Sequence, residues 1–185
     1  MLRFDATNAE CLVFTYKEGL LSGVAHDLKL GVTRFSVELD EERLSLTAEF
    51  DTRSLRVVSA MRDGQAMPSL LGASDRQKIE QNILDDVLDA ERFPQASFVS
   101  TEIKKLPEGE RFLVRGRLTL HGRTKELEVT TQLASGRQTA EVTLHQPDFG
   151  IRPYSAMLGT LRIRPNITVC LRLPFAAPAS PAAHP

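Results

Sequence analysis

The chain has no tryptophan, few tyrosines and cysteines, no excess of either charge and no long apolar run, and each shortage removes a class of protein. Cys11 and Cys170 are too few for a disulfide framework and lack CxxC spacing, so both are expected as free thiols. Lys and Arg number 23 against 24 for Asp and Glu, which gives no electrostatic reason to expect nucleic acid as a partner. No stretch approaches the roughly 20 apolar residues of a membrane-spanning helix. The N-terminus, MLRFDATNAE, lacks the basic start and apolar stretch of a secretory signal, so a cytoplasmic location is expected. His26, His121, His145 and His184 show no HExxH or other ligand spacing, and there is no GxSxG elbow or Gly-rich phosphate loop. No metal, cofactor or catalytic residue is therefore expected.

What the chain has is alternation. Phe112, Val114, Gly116, Leu118 and Leu120 interleave with Arg115, Arg117, Thr119 and His121, and Leu127, Val129, Thr131 and Leu133 interleave with Glu126, Glu128 and Gln132. Two arms with one apolar face each predict a hairpin. Closing it at His121-Gly122-Arg123-Thr124 sets Leu118 opposite Leu127 and Arg117 opposite Glu128. A second hairpin follows from Phe35, Val37 and Leu39 against Leu44, Leu46 and Ala48, with Leu39 opposite Leu44. A change of apolar phase between Gly31 and Arg34 predicts a bulge or bend before it.

Leu2, Phe4, Leu12, Phe14 and Tyr16 predict one or two opening strands broken near Asn8 and ended by Lys17-Glu18-Gly19. Asp51 to Ala73 has no regular pattern and reads as a loop or lid. Ser74 with Gln77 has the form of a capping box, and Ile79, Ile83, Leu84, Val87 and Leu88 then recur at helical spacing, predicting one amphipathic helix over Asp75 to Ala90. Extended segments follow at Ala96 to Ile103, before the turn Pro107-Glu108-Gly109, and at Ala140 to Leu144. Gln146 to Thr160 reads as a loop. From Leu161 to Leu173 the odd-numbered positions are almost all apolar, the longest strand signal in the chain, and Pro165 must sit where no ladder donor is needed. Residues 1–174 are thus expected to form one domain, and the Ala/Pro-rich tail 175–185 has nothing to bury.

About eight strands joined by short turns, with one inserted helix, predict an all-β protein built as an antiparallel barrel, with a sandwich as the alternative. An eight-stranded barrel either fills with side chains or admits one small ligand, and these inner faces suit an apolar one. Phe35, Val37, Leu118, Leu127, Val129, Ile163 and Val169 are the mid-strand inward positions chosen as its lining. A lining residue and a core residue look alike in sequence. His26 reads first as a histidine satisfied by local partners, with a ligand head-group contact at the barrel mouth as the alternative. Asp148 reads as a residue that fixes its own loop, with Arg152 treated in the same way.

These residues carry a resemblance. His26, the helix ending in Arg92-Phe93-Pro94-Gln95-Ala96-Ser97-Phe98-Val99-Ser100, then Gly116-Arg117-Leu118-Thr119-Leu120-His121-Gly122, Asp148-Phe149-Gly150-Ile151 and a final basic-apolar strand resemble the YceI-like family of lipid-binding proteins from about Leu12 to Leu173. The resemblance implies a lipocalin-like, extended eight-stranded antiparallel barrel. It also implies non-enzymatic carriage or sequestration of an isoprenoid-type lipid, a polyprenyl phosphate or an isoprenoid quinone. Tyr154-Ser155-Ala156-Met157 after Asp-Phe-Gly-Ile departs from common members. Two rivals stay open: a lipid-modifying enzyme using His26, and a filled barrel acting as an interaction module. A homodimer is also left open.

Overall fold

The computed structural model describes residues 1–18, 26–107 and 109–174. Gly19, Glu108, His184 and the expected tail lie outside them. The strands are β1 (Leu2–Asp5), β2 (Glu10–Thr15), β3 (Lys17–Glu18), β4 (Asp27–Val32), β5 (Phe35–Asp40), β6 (Ser45–Asp51), β7 (Leu55–Arg62) and β8 (Gln65–Met67). After the helix α1 (Ala73–Asn82) come β9 (Gln95–Lys105), β10 (Phe112–Leu120), β11 (Arg123–Thr130), β12 (Gln132–Ala134), β13 (Arg137–His145), β14 (Ser155–Ala156), β15 (Leu161–Ile163) and β16 (Asn166–Pro174). The fold is mostly β with one α-helix, as the alternation predicts.

The strands do not close into a single eight-stranded barrel. Among the described residues they form a six-stranded sheet in the order β1-β5-β6-β9-β10-β11, a seven-stranded sheet in the order β12-β13-β16-β2-β4-β7-β8, and a small sheet β14-β15-β3. Short links carry the chain from one large sheet to the other, at Asp5 to Glu10, Val32 to Phe35, Asp51 to Leu55 and Thr130 to Gln132. The phase change near Gly31 marks one of these crossings. The apolar faces of the two sheets look toward each other, and α1 lies along one flank. Ile79, Ile83, Leu84 and Leu88 pack on Leu28, Leu30, Leu55 and Val57 of the seven-stranded sheet, while Val87 and Leu88 also pack on the cluster of Leu118, Leu144, Phe149 and Ile151.

Both hairpins form with the register displaced by two, and their faces are as expected except at Leu44, which lies in the turn before β6, and at Leu133, which lies past the end of β11 in β12; both are exposed. Gly116, not Leu118, opposes Leu127, and Arg115, not Arg117, opposes Glu128. Leu39 pairs with Leu46. A slip of two preserves which side chains face inward, so alternation cannot detect it; the turn decides. His121 (φ 51°) and Gly122 (φ 72°) are both left-handed, the pattern of a tight two-residue turn, and Leu120 therefore faces Arg123 directly. On the outer face Arg115 bridges two strands, with Nε 2.6 Å from Glu128 Oε2 and Nη1 2.8 Å from Glu102 Oε2.

Gly116 has a packing reason. A Cβ there would stand 2.3 Å from Phe98 Cζ and 2.5 Å from the Val99 carbonyl oxygen, so the Phe98 ring lies across the glycine. We expect Gly116→Ala to destabilise the fold by about 1–3 kcal/mol through overpacking, read as a lower denaturant midpoint at unchanged slope; an unshifted midpoint would contradict this packing.

Three further elements differ from expectation. Residues 51–73 are not a loop or lid: they hold β7 and β8. The apolar phase there is broken by a register shift, with Leu30 opposite Val57 but Lys29 opposite Ser59, so Val58 is extra. Leu55, Val57, Ser59 and Ala60 are all buried, which no single period matches. The Val57 N–H is taken by Glu80 Oε1 of α1 at 2.7 Å. The helix starts earlier than predicted, with Gly72 at its N-cap and the Asp75 carboxylate accepting the Gly72 N–H at 3.1 Å. It runs into a π-turn over Ile83–Val87. Finally, the long signal from Leu161 to Leu173 is two strands in two sheets, and Pro165 sits at the break between β15 and β16, where no ladder bond is required of it.

Candidate functional site

Between the large sheets lies a cavity of about 850 Å³. Its walls come from the inward positions of nearly every long strand: Leu28 and Leu30 of β4, Val114 and Leu118 of β10, Leu127 and Val129 of β11, and Ile167, Val169 and Leu171 of β16 among them. The side of α1 that carries Ile79 and Ile83 closes the flank. Gln138 and Leu144, six residues apart on β13, both line it, so it runs roughly 20 Å along the strands at about 3.4 Å per residue. It is an elongated apolar tunnel.

The two ends differ. At one, Gln138 Nε2 donates to the Glu110 carbonyl at 3.0 Å and to Thr131 Oγ1, which in turn accepts the Phe112 N–H at 3.2 Å. These bonds tie the start of β10, the link between β11 and β12, and β13 together. At the other, where β4 begins and β13 ends, His26, Lys78, Asn82 and Tyr154 reach the wall, and Asn82 Nδ2 donates to Tyr154 Oη at 3.3 Å. Among the described residues, two wall oxygens, Thr15 Oγ1 and Gln138 Oε1, are buried without a hydrogen-bond partner, the positions from which the protein can match a polar atom of a guest.

Leu118, Leu127, Val129, Ile163 and Val169, the inward positions chosen from the sequence, line this cavity, and so does His26, whose first reading was a locally satisfied histidine. Phe35 and Val37 do not. Val37 is 0% exposed, in a cross-strand row with Phe4 and Ala48, both of which line the cavity while Val37 does not. Phe35 stacks on Phe50 at 6.0 Å between ring centroids, and it is Phe50 that reaches the cavity. Alternation finds the inward face but not which inward side chain stands behind another. The contributions of α1, Lys78 and Asn82 in particular, and of Tyr154 were not singled out. The helical spacing of Ile79 and Ile83 was the available signal for the former; Tyr154 sits in a stretch without periodicity.

Cys11 also faces the cavity, and burial with the neighbouring Cys170 pushes its thiol up to about 12. Both cysteines are free. Cys11 opposes Leu171 while Cys170 opposes Leu12, so the two thiols project to opposite faces of the sheet and cannot bridge.

The motifs that carried the resemblance hold the walls together. The His121 ring packs on Phe93, with centroids 4.1 Å apart. Gly150 is left-handed at φ 73°, and a Cβ there would meet the Arg123 guanidinium at 2.8 Å. Ile151 lines the cavity beside Leu118 and Leu144, and the buried Phe149 packs in the same cluster behind them. Asp148 fixes its own loop, accepting from His145 Nδ1 at 3.1 Å if that nitrogen is protonated. Among the described residues no three metal-ligating side chains converge, and no helix is long and apolar enough to cross a membrane.

Known proteins share this architecture. BcnA of Burkholderia cenocepacia superposes with a TM-score of 0.63 at 16% identity, covering 93% of this chain and 99% of its own. A polyisoprenoid binding domain from Saccharophagus degradans, implicated in plant cell wall breakdown, gives 0.58 at 14% identity over 92% and 94% of the two chains. The UPF0312 protein plu2095 of Photorhabdus laumondii is 46% identical over 48 residues, 26% of this chain. That match spans only 24% of the relative's length. The sequence profile of the YceI-like domain fits residues 4–175, nearly the whole described chain, and the protein belongs to the YceI-like domain family.

Proposed function

We propose that the protein binds an isoprenoid-type lipid in the tunnel and carries or sequesters it without chemical change. The observation that carries this reading is the apolar cavity itself, about 850 Å³, toward the upper end of the roughly 300–1,000 Å³ typical of small-molecule sites. An elongated tunnel suits a flexible hydrocarbon chain more than a compact ligand. The polyisoprenoid-binding relative supports the same ligand class, either a polyprenyl phosphate or a quinone. In this reading Leu118, Leu127, Val129, Ile163 and Val169 touch the chain, and His26, Lys78, Asn82 and Tyr154 surround the head group. Phe35 and Val37 act behind the wall. Two buried free thiols suit a reducing compartment such as the cytoplasm.

Competition tests this. A fluorescent apolar probe that brightens in the tunnel should be displaced by a long-chain polyprenyl phosphate or quinone, and a short-chain isoprenol should displace it less well. Equal displacement by a straight-chain fatty acid would remove the isoprenoid preference. Appearance of a chemically altered lipid during the incubation would replace the carrier with an enzyme.

A further inference from the structure

The stretch from Arg152 to Arg164 forms a lip beside the polar end of the tunnel. It contains three arginines and no carboxylate. Tyr154, Leu161 and Ile163 of this stretch line the tunnel, whereas Arg152, Leu158 and Arg162 are turned outward and exposed. Leu158 is fully exposed at 107% and left-handed at φ 57°, followed by Gly159 at φ 83°. A leucine gains nothing from that conformation in water, and the loop holds it there, with Arg162 Nε donating to the Gly159 carbonyl at 2.7 Å. Arg152, Leu158 and Gly159 border one open hollow with Asp86. Glu18 faces Arg162 across the small sheet. Even with Asp86, Glu18 and Asp27, whose Oδ1 accepts the Lys17 N–H at 2.8 Å, counted against them, Arg152, Arg162, Arg164 and Lys17 leave the lip with a net positive charge.

An exposed apolar tip flanked by arginines, here Arg152 and Arg162, is the pattern that seats in an interface of anionic head groups, the tip entering the acyl boundary and the arginines meeting phosphates. We propose that this lip docks the protein on an anionic lipid bilayer, with Leu158 as the inserting side chain. The end of the tunnel lined by Tyr154, Leu161 and Ile163 then lies against the bilayer, the side from which an apolar guest would reach the tunnel without crossing water. Leu44 is a built-in comparison: it is also exposed (52%) and left-handed (φ 49°), but it follows Asp40, Glu41 and Glu42.

Flotation with vesicles tests the proposal on the full chain. Vesicles of phosphatidylcholine with phosphatidylglycerol should carry the protein upward, phosphatidylcholine alone should carry far less, and binding should fade as salt is raised. Leu158→Asp should lower apparent affinity by about tenfold or more, since a seated leucine is lost. Arg152→Glu with Arg164→Glu should lower it comparably through charge. Leu44→Ser should leave it unchanged. All these positions are exposed, and thermal melts confirm that each variant is folded before it is compared. Absence of flotation, equal binding to both vesicle types, no effect of Leu158→Asp, or an equal loss in Leu44→Ser overturns the proposal. The vesicles contain no isoprenoid lipid, so docking is read separately from the carrier reading and either can fail alone.

Discussion

Val169→Arg should empty the tunnel. Val169 lies mid-strand on β16, between Val142 and Val13 on the neighbouring strands, and all three line the cavity. No described carboxylate lines that part of the wall, so an arginine there must either stay unpaired in an apolar space, at a cost of several kcal/mol, or draw water in with it. Either outcome excludes a hydrocarbon chain. The paired control is Thr143→Arg, one residue beyond Val142 on β13 and exposed on the outer face, where substitutions typically shift stability by about ±0.5 kcal/mol. Lipid recovered per mole of folded protein should fall to near zero in the first variant and stay at the wild-type level in the second. Retention in Val169→Arg with loss in Thr143→Arg would invert the assignment of faces.

Alkaline pH should destabilise the protein through Cys11. Its thiol is held neutral by burial in the tunnel wall, and the proximity of Cys170 adds to the effect, so its pKa rises from 9.0 to about 12. A pKa raised on folding means that the native state keeps the proton where the unfolded chain releases it. The stabilisation is therefore complete below about pH 9 and is lost as pH climbs through about 12. Three pH units correspond to a ceiling on the order of 4 kcal/mol. Cys170 is shifted in the same direction, chiefly by burial, and Arg172 partly offsets this. Urea denaturation from pH 8 to 12 should show unfolding free energy falling more steeply in the wild type than in Cys11→Ala, which cannot titrate. Parallel curves would mean that the Cys11 thiol is more hydrated than this packing allows. The same shift keeps Cys11 a thiol at neutral pH, so it should resist alkylation until the protein unfolds.

The face of each strand was readable because a period of two survives everything except a bulge. It therefore identified Leu118, Leu127, Val129, Ile163 and Val169 as inward, and it failed in β7, where the extra Val58 shifts the phase. Register was not readable, because a displacement by two leaves every face unchanged and only the turn geometry at His121-Gly122 fixes it. The break at Pro165, between β15 of the small sheet and β16 of the seven-stranded one, was hidden for a related reason: the apolar phase is the same on both sides of it, whereas the crossing between the two large sheets after Gly31 does change the phase. The depth of a side chain is not periodic at all: Phe35 and Val37 alternate as faultlessly as Leu118, but Phe35 stands behind Phe50 and Val37 is fully buried away from the cavity. His26 sits at the tunnel wall, yet nothing in its local sequence separates a wall histidine from a locally satisfied one.

Organic extraction of freshly purified protein followed by mass spectrometry tests the central claim most directly. The account expects an isoprenoid-type lipid, with the repeating five-carbon mass spacing of its chain, recovered from the folded wild type and absent from Val169→Arg. Recovery of no lipid from the wild type, together with failure to take up any long-chain isoprenoid supplied to it, would contradict the account and leave the cavity without the role assigned to it.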